Sequence, residues 1–260
     1  MKQNKRTKDE MVAYALEVSP KLLPFMDELL VEFEELGSSA QSIVKVLQGL
    51  SLKRDAFILD LGCGKGVVAV AIAKMMGLKT VGVELYKPFL ETCQKNAQAA
   101  NVQHLCTFEY GDISDLDDKY NPVDAVVIAA LGDTIGGTDE TVKVIRQYVK
   151  PGGYIVISDV YLKDGVTETF PDFEYARTYN ETIKLLTAQG DTFIQGYEWD
   201  DDEVDDDRAD GSIRTKALLL ADKHPELRKE FIEFADSQDK ENEFIDDNLI
   251  NVIWVLRKNA

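Results

Sequence analysis

The chain has 260 residues, 45% of them hydrophobic, and 29 Lys+Arg against 47 Asp+Glu give a net charge of −18. That length and apolar share support one folded domain, or one domain with a large insertion, and exclude a mostly disordered chain. A field this negative repels phosphate backbones and argues against a nucleic-acid partner, while three cysteines and two histidines, none in paired ligand spacing, exclude a zinc site and fit a reducing compartment.

Residues 9–50 read as helical. Ser19 and Pro20 look like an N-cap with proline in the first turn, and Leu22, Met26, Leu29, Leu30, Phe33 and Leu36 recur at helical spacing up to Gly37. A shorter helix follows at 40–50. This N-terminal segment, 1–50, is expected to pack on a core domain at 51–260; a lid over an active site is the sharper alternative. From residue 56 apolar runs alternate with amphipathic segments, the pattern of βαβ units in a parallel sheet. Strands are expected at 56–60, 80–84, 123–130 and 154–158, with a weaker one at 105–110, and helices at 67–76, 87–100 and 139–149. A Lys-Pro-Gly-Gly turn at 150–153 separates the last helix from its strand. A helix at 175–188 and strands at 192–197 and 249–256 complete the pattern. Between those two strands lies an insertion at about 198–247, too long for a hairpin loop, with helices near 213–221 and 226–234. Its start, 198–210, carries nine acids and one arginine and fits no calcium loop in any register. It reads as a solvated loop or, more sharply, as a surface that attracts a cationic acceptor or basic partner. No apolar run is long enough for a signal peptide or a membrane span, so a cytoplasmic protein without membrane contact is expected.

The most informative stretch holds Asp60, Gly62, Cys63, Gly64 and Gly66 in DLGCGKG, after a buried strand and at the start of a helix. Glycines there let the backbone turn sharply and let a ligand lie against bare main chain at a helix N-terminus. A dinucleotide fingerprint would place its third glycine where Val67 stands. Glu84 ends the next strand, where a carboxylate can accept both hydroxyls of a ribose. Asp112 ends the third and could accept from the exocyclic amine of a base. The three acids fall on the sheet edge where open parallel sheets bind ligands.

In order and spacing over about 40–197, DLGCGKG, VGVELYKPFLE, EYGDISDL, DAVVIAALGD and VKPGGYIVISD resemble the motifs of the class I S-adenosylmethionine-dependent methyltransferases, particularly the small-molecule branch. The resemblance implies an α/β, Rossmann-like fold: a seven-stranded, mostly parallel sheet of order 3-2-1-4-5-7-6 with helices on both faces. It also implies S-adenosyl-L-methionine as cofactor and no metal. Gly62, Gly64 and Gly66 would flank the methionine part, with Asp60 ordering the loop and holding the amino group. Cys63 would be a small buried filler within the same loop. Glu84, with Leu85 beside it, would hold the ribose, and Asp112 and Ile113 the adenine. Ala129 and Leu131, in the stretch ending at Gly132, would face the sulfonium.

Methyl transfer by in-line displacement needs mainly alignment in a dry pocket, with a base where the acceptor must lose a proton. Position suggests Asp133, Asp159 or Tyr161. The stretch after the fourth strand, Ala129-Ala130-Leu131-Gly132, departs from the Asn/Asp-Pro-Pro-aromatic motif of amino-methylating nucleic-acid enzymes of this fold. The acceptor is expected to contact Tyr14 and the aromatic-rich stretch after the fifth strand, with Tyr161, Phe170, Phe173, Tyr175 and Tyr179. The expected function is methyl transfer to a small-molecule acceptor. The alternatives are a methyltransferase-like binding subunit without catalysis and a protein methyltransferase; a homodimer is compatible with either.

Overall fold

The computed structural model describes residues 6–116, 120, 122–199 and 212–260. Seven strands, β1 (Phe57–Leu61), β2 (Lys79–Glu84), β3 (Cys106–Tyr110), β4 (Val123–Ala129), β5 (Val149–Leu162), β6 (Thr192–Glu198) and β7 (Leu249–Arg257), form one sheet. Its order is β3-β2-β1-β4-β5-β7-β6, with β7 antiparallel to both its neighbours. This is the order that the sequence resemblance implies.

The apolar runs follow from burial on both sheet faces. Leu59, Leu61, Val126, Ile128, Ile155, Ile157 and Trp254 face α6 (Thr138–Ile145) and α7 (Tyr179–Leu186). Ile58, Ala125, Val127, Val156, Ile253 and Val255 point the other way, against α3 (Ala40–Gln48) and α4 (Val67–Met76). The remaining crossover helix, α5 (Lys87–Ala99), joins β2 to β3.

Two departures from the sequence pattern shape the site. First, β5 is much longer than the run at 154–158. Residues 150–153, read as a turn between helix and strand, lie within the strand, where the pairing jumps from Val123↔Val149 to Ala125↔Tyr154. At its other end β5 continues with β7, from Asp159↔Val252 to Leu162↔Leu249, where Leu162 also bridges Thr178, and so projects beyond the carboxyl edge of β4. Second, residues 19–36 are not one helix. They form a 3₁₀ turn, Pro20–Phe25, a single α-turn, α2 (Met26–Leu29), and then irregular chain to residue 39. Pro24 lacks the N–H that a continuous helix needs.

The apolar stripe of this segment meets the insertion rather than the sheet. α1 (Lys8–Ala15), the 3₁₀ turn and α2 share a second core with α8 (Ser212–Lys223) and α9 (Arg228–Asn248). Leu22, Met26, Leu29, Leu220, Phe231 and Phe234 are buried in it, together with Phe89 from α5. α9 runs 21 residues, well past the apolar spacing at 226–234. The acid-rich run at 200–207 lies outside the described residues. Among the described residues no helix is long and apolar enough to cross a membrane.

Gly82 in β2 fixes how closely the glycine loop lies over the sheet. A Cβ at this position would come 2.7 Å from Cys63 Sγ and 2.8 Å from the Phe108 ring. Gly82→Ala is therefore expected to cost about 1–3 kcal/mol, an overpacking penalty readable as a lower urea midpoint. An unchanged midpoint would show that Cys63 and β3 can both yield.

Candidate functional site

The chain leaves β1 at Leu61 and enters α4 at Val67 through a loop that β2 holds from the side. Val83 O accepts the N–H groups of Gly62 and Cys63 at 2.9 and 3.1 Å. Glu84 Oε2 accepts that of Gly64 at 2.9 Å, and its other oxygen accepts the Tyr86 N–H at 2.7 Å. Gly66, at φ 78°, occupies the N-cap of α4 in the left-handed conformation that other residues avoid. From α5, the Cys93 thiol donates to Gly64 O at 3.1 Å and Asn96 Nδ2 to Lys65 O at 3.0 Å.

Beside this loop opens a shallow cleft, lined by Asp60, Gly62, Cys63, Gly64, Lys65, Val67, Val68 and Ala129 on one side and by Glu34, Glu35, Leu36 and Ser38 on the other. Asp60 is 1% exposed. The Ala69 N–H supports its carboxyl group, but Oδ2 has no partner. Burial, reinforced by the nearby Glu84, pushes its pKa up to about 7. Burial also raises Glu84, against the opposing effect of its backbone hydrogen bonds. A desolvated carboxyl with an unanswered oxygen suits a cationic ligand group, and the loop's bare backbone suits close approach.

Just past β4, and along the part of β5 that projects beyond it, a second set of carboxyls gathers; Asp159, expected after the fifth strand, lies within that strand. Tyr14 of α1 donates to Asp133 Oδ1 at 2.7 Å, and this bond together with burial pushes the phenol up to about 12. Tyr175 donates to Asp159 Oδ1 at 2.8 Å, an oxygen that also accepts the Val160 N–H. Burial nevertheless raises Asp159 to about 6, with Asp133 adding to the rise. Behind them the carboxyl groups of Glu17 and Glu241 hydrogen-bond to each other, which requires one to keep its proton. Burial first, then this pairing and the field of Asp172 and Asp133, holds Glu17 far above the usual carboxylate range.

The residues that the sequence singles out separate into groups. Asp60, Gly62, Cys63, Gly64 and Ala129 line one cleft, Leu131 packs over Gly62, and Glu84 reaches Gly64. Asp112 stands next to Glu84, since Gly111 donates to Glu84 O at 3.1 Å. Its Oδ1 accepts from the Ser114 N–H and hydroxyl at 2.9 and 2.6 Å, heading a 3₁₀ turn. Ile113 packs on the sheet core and Leu85 on the second core, a cap formed by α1, the 3₁₀ turn, α2, α8 and α9. Asp133 and Asp159 share one neighbourhood around Tyr175. Tyr161 is elsewhere: its ring lies in the core against Tyr179 and Trp254, and its hydroxyl donates to Glu198 at 2.6 Å. The Cys63 thiol, hydrogen-bonded to Cys93 and buried, is raised well above its ordinary value and is a poor nucleophile. Sequence reasoning passed over Glu17, Asp172, Glu241, Lys65 and the cleft wall at 34–38. Lys65 stands inside the DLGCGKG motif but its partners do not, and the others carry no local motif; each acquires its surroundings from elements distant in sequence.

Comparison with known proteins points one way. A family profile described as "Methyltransferase domain" matches residues 52–210. Ribosomal protein L11 methyltransferase of Campylobacter concisus is 32% identical over 138 residues, which cover 52% of this chain and 47% of that protein. Demethylmenaquinone methyltransferase of Lactobacillus johnsonii is 25% identical over 151 residues, 57% of this chain and 62% of that one. The chain thus spans roughly half the length of the first of these relatives. Among solved structures, a SAM-dependent methyltransferase from Geobacter sulfurreducens in complex with S-adenosyl-L-homocysteine superposes with a TM-score of 0.74 at 17% identity, over 92% of this chain and 98% of that one, a likeness of fold.

Because Asp60, Asp159 and Glu17 all titrate above their unfolded values, the folded chain binds protons that the unfolded chain has released. Their contribution to stability is fully present below about pH 4 and is lost as pH rises through 6 to 7 and beyond. The ligand-free protein should therefore be more stable to denaturant at pH 5 than at pH 8. Glu17→Gln, which replaces the shared proton by an amide donor, should raise stability at pH 8 by about 1 kcal/mol and flatten the slope. A midpoint that rises from pH 5 to pH 8 contradicts this reading.

Proposed function

The chain belongs to the methyltransferase-domain family of class I fold, and from that membership we propose that it transfers the methyl group of S-adenosylmethionine to a small-molecule acceptor. The observation that carries the cofactor assignment is Asp60, 1% exposed yet with an unanswered oxygen, in a cleft bordered by bare glycine backbone. Asp60 would hold the cofactor's ammonium group, Glu84 the ribose hydroxyls through lone pairs that Gly64 and Tyr86 leave free, and Asp112 with Ile113 the adenine. Gly62, Gly64, Ala129 and Leu131 would border its methionine portion and sulfonium.

When bound, S-adenosylmethionine supplies a methyl group already activated by positive charge on sulfur. The protein's part is to align the acceptor and to exclude water. Asp133, just past β4, and Asp159, in the part of β5 that projects beyond β4, face that task with Tyr14 and Tyr175 as their hydrogen-bond donors. Asp159 would take up or hold the acceptor's proton: its raised pKa of about 6 keeps it largely ionised at neutral pH and close to the range where a base is effective. Tyr161, bound to Glu198 within the core, is no part of this proposal. The carboxyls of Glu17, Asp133, Asp159, Asp172 and Glu241 disfavour an acceptor bearing phosphate or carboxylate, leaving neutral or basic ones.

A small acceptor is favoured by the second core, because α1 of that cap reaches Asp133 through Tyr14 and narrows the approach to the strand ends. A protein acceptor is the second reading, suggested by the likeness to ribosomal protein L11 methyltransferase. Labelled methyl transfer from S-adenosylmethionine into a lysate split by a size cutoff decides between them: label in the low-mass fraction supports the small acceptor, and label only in the protein fraction overturns it. Binding of S-adenosylhomocysteine with no transfer to any fraction would instead make the chain a binding subunit.

Two further outcomes are expected. Calorimetry should show S-adenosylhomocysteine bound about tenfold more tightly at pH 8 than at pH 6, as Asp60 gives up its proton to pair with the ammonium. Asp60→Asn should weaken binding and remove that dependence. Asp159→Asn should lower kcat about a hundredfold with little change in cofactor affinity, whereas Tyr161→Phe should stay within about threefold of wild type. The reverse ranking would move the base to Tyr161.

A further inference from the structure

Lys65 lies inside the glycine loop, yet none of the roles above employs its ammonium group. The residue is 7% exposed, unusual for a lysine. Its Nζ donates to the carbonyl oxygens of Leu30 and of Phe33, the latter at 2.6 Å. Both acceptors belong to the irregular chain just past α2, where carbonyls lack helical partners and favour a cation. The carboxylates of Asp27 and Glu34 supply the neighbouring negative charge, and the Phe89 ring centroid is 5.8 Å away.

From these two carbonyls the chain continues directly along the cleft: Glu34, Glu35, Leu36 and Ser38 form its outer wall. Gly37, at φ 75°, brings the backbone so near the end of β4 that a Cβ would stand 3.1 Å from Ala130 Cβ. Beyond it, Glu35 Oε1 accepts the Ala40 N–H at 2.8 Å, closing the segment onto the start of α3. The strip is thus fixed to α3 at one end, while at the other Lys65 is its buried side-chain anchor, beside an exposed ion pair of Glu32 with Lys216.

We propose that Lys65 is a positioning residue that holds residues 30–38 as a strap over the cofactor cleft, so that one residue of the glycine loop both borders the cleft and keeps it covered. Leu36 and Gly64 are then in register, with Leu36 Cδ1 3.8 Å from where a Gly64 Cβ would stand. Loss of the ammonium leaves Phe33 O without its donor and Leu30 O with the Phe33 N–H alone, and it frees the strap to swing outward, whatever the fate of the loop itself. This inference rests on the methyltransferase reading only for the identity of the nucleoside used to probe it.

Amide hydrogen exchange on the full chain, with and without S-adenosylhomocysteine, tests it. In wild type, saturating nucleoside should slow exchange across 30–38. Lys65→Met, which keeps the apolar stem and removes the donors, should speed exchange there at least tenfold while β1 and β4 keep their protection, and should weaken nucleoside binding about tenfold. Lys65→Arg, which keeps charge and donors, should recover both to within about threefold. Wild-type exchange at 30–38 in Lys65→Met overturns the proposal, as does faster exchange with unchanged affinity. If Lys65→Met does not fold, the wild-type comparison decides: a strap whose exchange ignores bound nucleoside does not cover the cleft. Should wild type bind no nucleoside, the methyltransferase reading fails, while exchange in ligand-free Lys65→Met still reports whether Lys65 holds the strap.

Discussion

The turn from β1 into α4 passes through backbone conformations that only glycine adopts without strain, and β2 holds it there from the side. Val83 O accepts the Gly62 and Cys63 N–H groups, and the Glu84 carboxyl accepts that of Gly64. These bonds fix the separation between the ends of β1 and β2, and with it the distance from Asp60 to Glu84. They also leave Asp60 beneath the loop, where its second oxygen finds no donor. An unpaired buried carboxyl is a cost to the fold. It persists here because the loop that creates it is fixed by its own backbone hydrogen bonds to β2 and α5.

The excess negative charge of the chain has two components with different physics. Part of it sits on exposed helix faces, where water screens it and pairs such as Lys223 with Glu28 are worth little. The carboxyls of Asp60, Glu84, Asp159, Glu17 and Glu241 are buried or half-buried, and burial raises them. Only this second component is set by structure. It is concentrated along the carboxyl edge of β1, β2, β4 and β5 and beneath the cap, where each raised group opposes the ionised state that it holds in the unfolded chain.

The sheet was legible in the sequence because its central strands are buried on both faces and read as unbroken apolar runs punctuated by glycine and proline, whereas the edge strand β3 is half-exposed and reads weakly. The strand-end acids were legible for the same reason: a polar residue closing such a run stands out, as Asp60 and Glu84 do. Three features did not show. The bulge at 150–153 uses the same Pro-Gly-Gly chemistry as a free turn, and only the pairing of Val123 with Val149 reveals that the strand has already begun. The stripe from Leu22 to Leu36 has helical spacing, but Pro24 and the carbonyl contacts of Lys65 divide it. Tyr161 follows the fifth apolar run as Asp159 does, and side-chain alternation puts both on one face; what separates them is the length of β5 beyond β4, which carries Tyr161 away to Trp254.

The cap shows why segments so distant in sequence bear on one site. Neither the first thirty or so residues nor the insertion can bury its apolar stripe alone; each is completed by the other in a core that holds Leu22, Met26 and Phe231. The exposed ion pairs across that junction, Lys21 with Glu230 and Lys216 with Glu32, are minor beside the apolar contact. Besides the apolar contact of Phe89 and the bonds of Lys163 to the end of α9, three hydrogen-bonded contacts join the cap to the sheet domain beside the cleft: Tyr86, just after β2, donates to Leu23 O, Tyr14 donates to Asp133 just after β4, and Lys65, just after β1, donates to Leu30 O and Phe33 O. All three contacts fall on loops that leave the carboxyl ends of strands, the same loops that carry the acids of the cleft. A displacement of the cap therefore has to alter at least one wall of the site, and a ligand that orders those walls has to bias the cap in return.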